Sequence, residues 1–197
     1  MLKLCSARAA GRFLARYDGA IRDIAERYAL PAACLQAILY RELTDIDIMD
    51  LLADALVRFN LARGAAPGGG PLGKCDSSTG CGQIFARVAI NAINFAVDRG
   101  LADYAALGLP NRRPDGASTA DLRLVWTRLH DEPVFNMECT ALNLLAAAQE
   151  VTGRTDFASF TPEELKRVFT RYNGTLPGVT PYGEAVYRHY LRFCETE

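Results

Sequence analysis

Glu42 occupies a position where a leucine would be expected. In the segment from Pro31 to Leu43 (PAACLQAILYREL), Leu35, Ile38 and Leu39 recur at helical spacing, and Glu42 follows them by seven, four and three residues. It therefore extends one apolar stripe. A carboxyl on such a face is partly desolvated, which disfavours the charged form and raises its pKa. A carboxylic acid that keeps its proton near neutral pH is equipped for general-acid chemistry. A helix-end glutamate that swings out to solvent or pairs with an arginine fits the same spacing and is the plainer reading of the helix alone.

A second group of polar residues lies in the run Asp76-Ser77-Ser78-Thr79-Gly80-Cys81-Gly82-Gln83-Ile84, a polar turn leading directly into an apolar helix. Asp76 adds a carboxylate, Ser78 a hydroxyl, and Gln83 a side chain that both donates and accepts. The two glycines allow the backbone to approach a ligand closely. Taken alone, the run also suits a tight turn with an N-capping hydroxyl. A third group, Tyr172-Asn173-Gly174, ends a helix and is followed by Tyr182, Val186 and Tyr190 at i, i+4 and i+8. That spacing reads as core packing with polar tips.

The elements that must position these residues are helical almost throughout. The patterns predict helices over about residues 7–28, 31–43, 47–63, 83–98, 118–131, 134–151, 162–172 and 181–194. Ser118 with Asp121 and Thr161 with Glu164 match the capping pattern. Pro133, Pro162 and Pro181 suit first turns, while Gly100, Gly153 and Gly174 suit helix ends. No β-alternation persists beyond a few residues, so the expected fold is mainly α, a single domain over residues 1–197 with 1–20 as an N-terminal helical extension.

Two irregular stretches interrupt this pattern. Residues 64–82 (GAAPGGGPLGKCDSSTGCG) read as a Gly-rich flap at a cleft, and 107–117 (LGLPNRRPDGA) as a surface connection. The flap contains Gly68, Gly73 and Lys74 at phosphate-loop spacing. Cys75 stands where Ser or Thr should hold magnesium, and the preceding element reads as a helix, so this match is fortuitous.

Composition narrows the function classes. Half of the residues are hydrophobic, 23% are charged, and the formal net charge is -1. Nothing in that balance supports a nucleic-acid partner. No stretch approaches the roughly 20 apolar residues of a membrane span. The N-terminal segment lacks the continuous apolar core of a signal peptide. The six cysteines include only one close pair, Cys75 and Cys81, and no CxxC, which argues against structural zinc. An even count would suit disulfides, whereas a missing signal suits reduced thiols. A protein made in the cytosol and exported by a dedicated machine satisfies both.

A helix-borne glutamate, a Gly-x-Gly-Gln turn opening a helix, and Tyr-Asn-Gly before a tyrosine-bearing terminal helix occur here in that order. The arrangement resembles the lysozyme-like superfamily of lytic transglycosylases and goose-type lysozymes. Residues 21–43 resemble the helix leading to the catalytic glutamate, 80–84 (GCGQI) the Gly-Leu-Met-Gln turn, 136–145 the helix before the last motif, and 172–174 the Tyr-Asn-Gly. The family often has Ser after the glutamate, where this chain has Leu43. An extra helix and the Gly-rich loop separate Glu42 from Gln83.

The resemblance implies cleavage of the β-1,4 bond between N-acetylmuramic acid and N-acetylglucosamine in peptidoglycan glycan strands, without a metal or organic cofactor. Glu42 would protonate the glycosidic oxygen. In a transglycosylase it would then accept the proton of the substrate's own C6 hydroxyl; in an inverting hydrolase a second carboxylate would activate water. Asp76 is the candidate for that base and tilts the expectation slightly toward hydrolysis, with Asp45 and Asp47 as weaker candidates that could instead cap the next helix. Gln83 and Tyr172 would hold the sugar, Asn173 the turn, and Ser78 is a further substrate-contact candidate. A secreted antibacterial effector working in a target periplasm or cell wall fits these features, with an immunity protein as partner and a Cys75–Cys81 bridge fixing the loop after export. The contrasting expectation is a non-enzymatic helical module that binds wall or regulates.

Overall fold

The structure, a computed structural model, describes residues 3–64, 73–174 and 178–195. Among them are nine α-helices and one 3-10 turn, with no strands beyond isolated bridges. The helices are α1 (Ala7–Arg16), α2 (Asp18–Arg27), α3 (Ala32–Asp45), α4 (Ile48–Ala62), α5 (Ala86–Asp98), α6 (Thr119–Asp131), α7 (Pro133–Thr152), α8 (Pro162–Tyr172) and α9 (Pro181–Cys194). The mainly-α expectation holds, and most boundaries fall within a few residues of those read from the pattern.

Helix α7 is the axis of the core. Every residue from Phe135 to Leu142 is buried, so the helix is covered on all sides rather than along one stripe. It packs against α5, α6 and α8 and against the α2–α3 corner. α3 is similarly enclosed, between α1, α2, α7 and α9. Buried Glu138 joins the two halves, accepting from Arg27 Nη1 at 2.5 Å and Tyr28 Oη at 2.8 Å. A buried carboxylate is tolerated when its lone pairs are met in this way.

The sequence pattern is corrected at three places. The expected first helix divides at Tyr17, whose N–H is shared between Phe13 O and Leu14 O, and both halves then reach the core through Ala10, Leu14, Ile21 and Ile24. Residues of the expected N-terminal extension thus contribute to the same core. Helix α5 starts at Ala86 rather than at 83, because residues 79–84 close on themselves through Thr79 N to Ile84 O and Ile84 N to Thr79 O. The 107–117 stretch is not a plain surface connection. Leu107 and Leu109 are buried, and the Arg128 guanidinium holds the carbonyls of Leu107 and Gly108.

Capping chemistry behaves as expected. Thr161 and Glu164 form a reciprocal box on α8, and Asp47 with Asp50 forms another on α4. Ser118 caps α6, but the Asp121 carboxylate turns instead to Arg112 and to the Asp115 N–H. Part of the Gly-rich flap and of the phosphate-loop match, residues 65–72, lies outside the described residues.

Candidate active site

Glu42 lies in the last turns of α3 and is 9% exposed. Burial raises its carboxyl from the ordinary range to about 7, and neighbouring Asp45 and Asp50 push the same way. A hydrogen bond from Tyr182 and the Arg41 guanidinium oppose that rise. The Tyr182 phenol, in the first turn of α9, donates to Glu42 Oε1. Arg41 lies over the Tyr182 ring at 5.7 Å and pairs with Asp45 at 2.5 Å, which holds ring and carboxyl together. The Glu42 carboxyl is therefore buried, oriented and poised to exchange a proton near neutral pH.

The carboxyl faces a cavity of about 260 Å³. Gln83, Tyr172 and Asn173 line it too, so four of the residues singled out in sequence converge on one site. Two more cavities abut it. One of about 620 Å³ shares Phe85 and Val88 and runs on to Lys74, Asp76, Arg87 and Asn91. The other, of about 220 Å³, shares Gln83 and runs toward Phe13, Asp50 and Leu51. The Glu42 cavity thus shares lining residues with both of its neighbours. Phe85, 45% exposed, lines both the Glu42 cavity and the larger one.

The Gly80–Gln83 turn owes its shape to helix α7. A Cβ on Gly80, whose φ is +71, would lie 2.2 Å from Asn136 Nδ2, and one on Gly82 would lie 2.0 Å from Thr140 Oγ1. The close approach expected of these glycines is thus to a neighbouring helix rather than to a ligand. Asn136 completes the contact: Oδ1 accepts from Gly82 N at 2.7 Å, and Nδ2 donates to Thr79 O at 2.9 Å. Tyr172 donates to Gly82 O at 2.6 Å, tying the end of α8 to the same turn. Gln83 takes a positive φ of 44 and donates from Nε2 to Gly80 O at 2.9 Å. Such a backbone conformation is costly for a non-glycine residue and persists only where the surroundings fix it.

Asp76 and Ser78 are not brought to the Glu42 cavity. Both Asp76 oxygens accept backbone N–H groups at the start of α5, from Ala86 at 2.8 Å and Arg87 at 3.0 Å. This is a helix cap reached from ten residues upstream, and it engages both oxygens of the residue expected to serve as a water-activating base. Burial raises the Asp76 carboxyl, while these N–H groups hold it down. Ser78 is half-buried and lines none of the three cavities. Asp47 caps α4, and Asp45 pairs with Lys3 and Arg41. Cys75 and Cys81 are thiols not joined to each other. Cys81 Sγ donates to Asn136 Oδ1 at 3.3 Å, and burial pushes its thiol up to about 12.

Sequence reasoning missed Tyr182, Asn136 and Asn143. The i, i+4, i+8 pattern assigned Tyr182 to packing, whereas its hydroxyl is the direct partner of Glu42. A signal for the other two was present: Asn136, Thr140 and Asn143 repeat at i, i+4 and i+7 along α7. That polar stripe faces the turn and the cavity. Neither a family model, a curated protein nor a solved structure matches this chain.

Proposed function

We propose that this chain is a peptidoglycan-cleaving glycosidase of lysozyme-like type, acting on the MurNAc–GlcNAc β-1,4 bond as a lytic transglycosylase. The observation that carries the reading is the Glu42 carboxyl, nearly buried yet opening on a groove where Gln83, Tyr172 and Asn173 meet. A carboxyl titrating near 7 can give a proton and take one back at the same pH. The Glu42 carboxylic acid protonates the glycosidic oxygen as the C1–O bond breaks. The resulting carboxylate then accepts the proton of the C6 hydroxyl as O6 bonds to C1, closing the 1,6-anhydro ring and restoring the acid.

Two further features support this outcome over hydrolysis. Glu42 is the sole carboxylate lining its cavity among the described residues. The base proposed from sequence, Asp76, is committed to capping α5. A groove of three abutting cavities suits an extended glycan strand, and the exposed Phe85 ring suits stacking against the apolar face of a sugar. On this reading the protein works in a periplasm or cell wall, delivered as an antibacterial effector and held in check by an immunity protein.

The deciding experiment is digestion of purified peptidoglycan followed by mass spectrometry of the fragments. Anhydromuramyl ends are expected from the wild type, and none from Glu42→Gln. Reducing ends would make it a hydrolase instead, and equal turnover by the Glu42→Gln variant would remove the assignment altogether.

A further inference from the structure

Helix α4 is built inside out. Its buried face carries Asp54 and Asn60 beside Val57 and Leu61, while large apolar side chains point to solvent. Leu52 is 57% and Phe59 53% exposed, and Ile48, Met49 and Leu51 are exposed as well. The inward polar groups are hydrogen-bonded. Asp54 accepts from Ser77 Oγ at 2.7 Å and Thr79 Oγ1 at 2.8 Å, and Asn60 Nδ2 donates to Lys74 O at 2.9 Å. The helix is therefore anchored by hydrogen bonds on one side and leaves its apolar side uncovered by the described residues.

The uncovered side has a regular pattern. Ile48, Leu52, Ala55, Phe59 and Ala62 repeat at alternating steps of four and three. That is the spacing of a helix-pairing seam, directly opposite the buried face at 3.6 residues per turn. Charge sits at opposite ends, with Asp47 and Asp50 at the start and Arg58 and Arg63 at the finish. Arg63 lies over the ring of Phe59 at 5.1 Å, so its charge borders the seam itself.

We infer that α4 pairs with α4 of a second copy of this chain in an antiparallel, two-fold arrangement. Antiparallel pairing sets Ile48 against Phe59 of the second copy and Leu52 against Ala55, which packs large against large at the two ends and large against small in the middle. In the same register Asp47 lies opposite Asn60 of the second copy, within one turn of Arg63 and of Arg58, the latter already paired with Asp131 of its own chain. A parallel pair would instead juxtapose like charges at both ends. The acidic start of the helix also opposes an anionic lipid surface, whose binding helices carry Lys and Arg along their flanks. Leu51 and Asp50 also line the cavity of about 220 Å³, so α4 forms part of its wall.

The test is sedimentation equilibrium of the full chain from low micromolar to near-millimolar concentration, with co-sedimentation on phosphatidylethanolamine–phosphatidylglycerol vesicles alongside. The wild type is expected to approach twice the monomer mass. The exposed substitutions Leu52→Glu and Phe59→Glu should each raise the dimer dissociation constant about tenfold or more, with unchanged circular dichroism. Arg63→Glu should weaken pairing less, and more so at low salt. A wild type that stays monomeric at the highest concentration overturns the inference, as does a dimer that survives in the Leu52→Glu/Phe59→Glu double variant. Vesicle binding by a protein that remains monomeric in solution would assign the face to lipid instead.

Discussion

Tyr182 and Glu42 stand 140 residues apart in sequence and are joined by a hydrogen bond in which the phenol donates to the buried carboxyl. The bond links the first turn of α9 to α3, so the carboxyl is oriented only once segments 140 residues apart have come together. It also sets a balance. Burial drives the Glu42 carboxyl toward the protonated state, and the Tyr182 donor favours the charged one. About 7 is where these opposing effects leave it.

Removing the donor shifts that balance in a known direction. In Tyr182→Phe, Glu42 loses a stabiliser of its carboxylate, so its pKa rises. The alkaline limb of the pH–activity profile is expected to move to higher pH, with the fold intact by circular dichroism. An unmoved limb in a folded, active variant would detach Tyr182 from the titration of Glu42.

Glu42 also ties stability to pH. Its folded pKa of about 7 lies above the ordinary 4.5, so the fold binds this proton more tightly than the unfolded chain. The contribution is complete below the unfolded value and is lost as pH rises through about 7. Relative to Glu42→Gln, the wild type should lose about 2–3 kcal/mol of unfolding free energy between roughly pH 5 and pH 8. Urea denaturation of both proteins at the two pH values measures this.

Asp76 should behave as a cap rather than as a catalyst. Asn keeps one acceptor oxygen for the two N–H groups now served by both. Asp76→Asn is expected to cost about 1 kcal/mol of stability and to leave the nature of the released sugar ends unchanged. A switch in product chemistry would restore it as a base.

Gly82→Ala would drive a methyl into Thr140 Oγ1, 2.0 Å from the required position. Overpacking of this kind costs about 1–3 kcal/mol, and here it would also displace the carbonyl that Tyr172 binds. Thermal unfolding should show the loss, and Gly82→Ala/Thr140→Ala should recover part of it.

Much of the fold was legible in the sequence because helix periodicity and capping are local. Proline at the first turns of α7, α8 and α9, and the Thr161–Glu164 box, act within a few residues of where they are read. Glu42 was legible for the same reason, as a carboxyl breaking an apolar stripe. The capping role of Asp76 was not legible because its partners, Ala86 and Arg87, are ten and eleven residues onward, beyond any capping pattern. Tyr182 was misread because a tyrosine spaced for packing looks the same whether or not its hydroxyl has a distant acceptor.

The sequence by itself determined the mainly helical class, the placement of most helices, and the candidacy of Glu42, Gln83, Tyr172 and Asn173. Periodic burial and terminal capping depend on neighbours along the chain, so no tertiary knowledge is needed to read them. Only the tertiary structure decided that these four residues share one cavity, that Tyr182 holds the carboxyl, and that Asp76 does not face it. It alone decided that the two glycines answer to α7 and that the apolar face of α4 is turned outward. Each of these depends on which helices come within hydrogen-bonding and packing distance, a relation between segments far apart in the chain that no local pattern encodes.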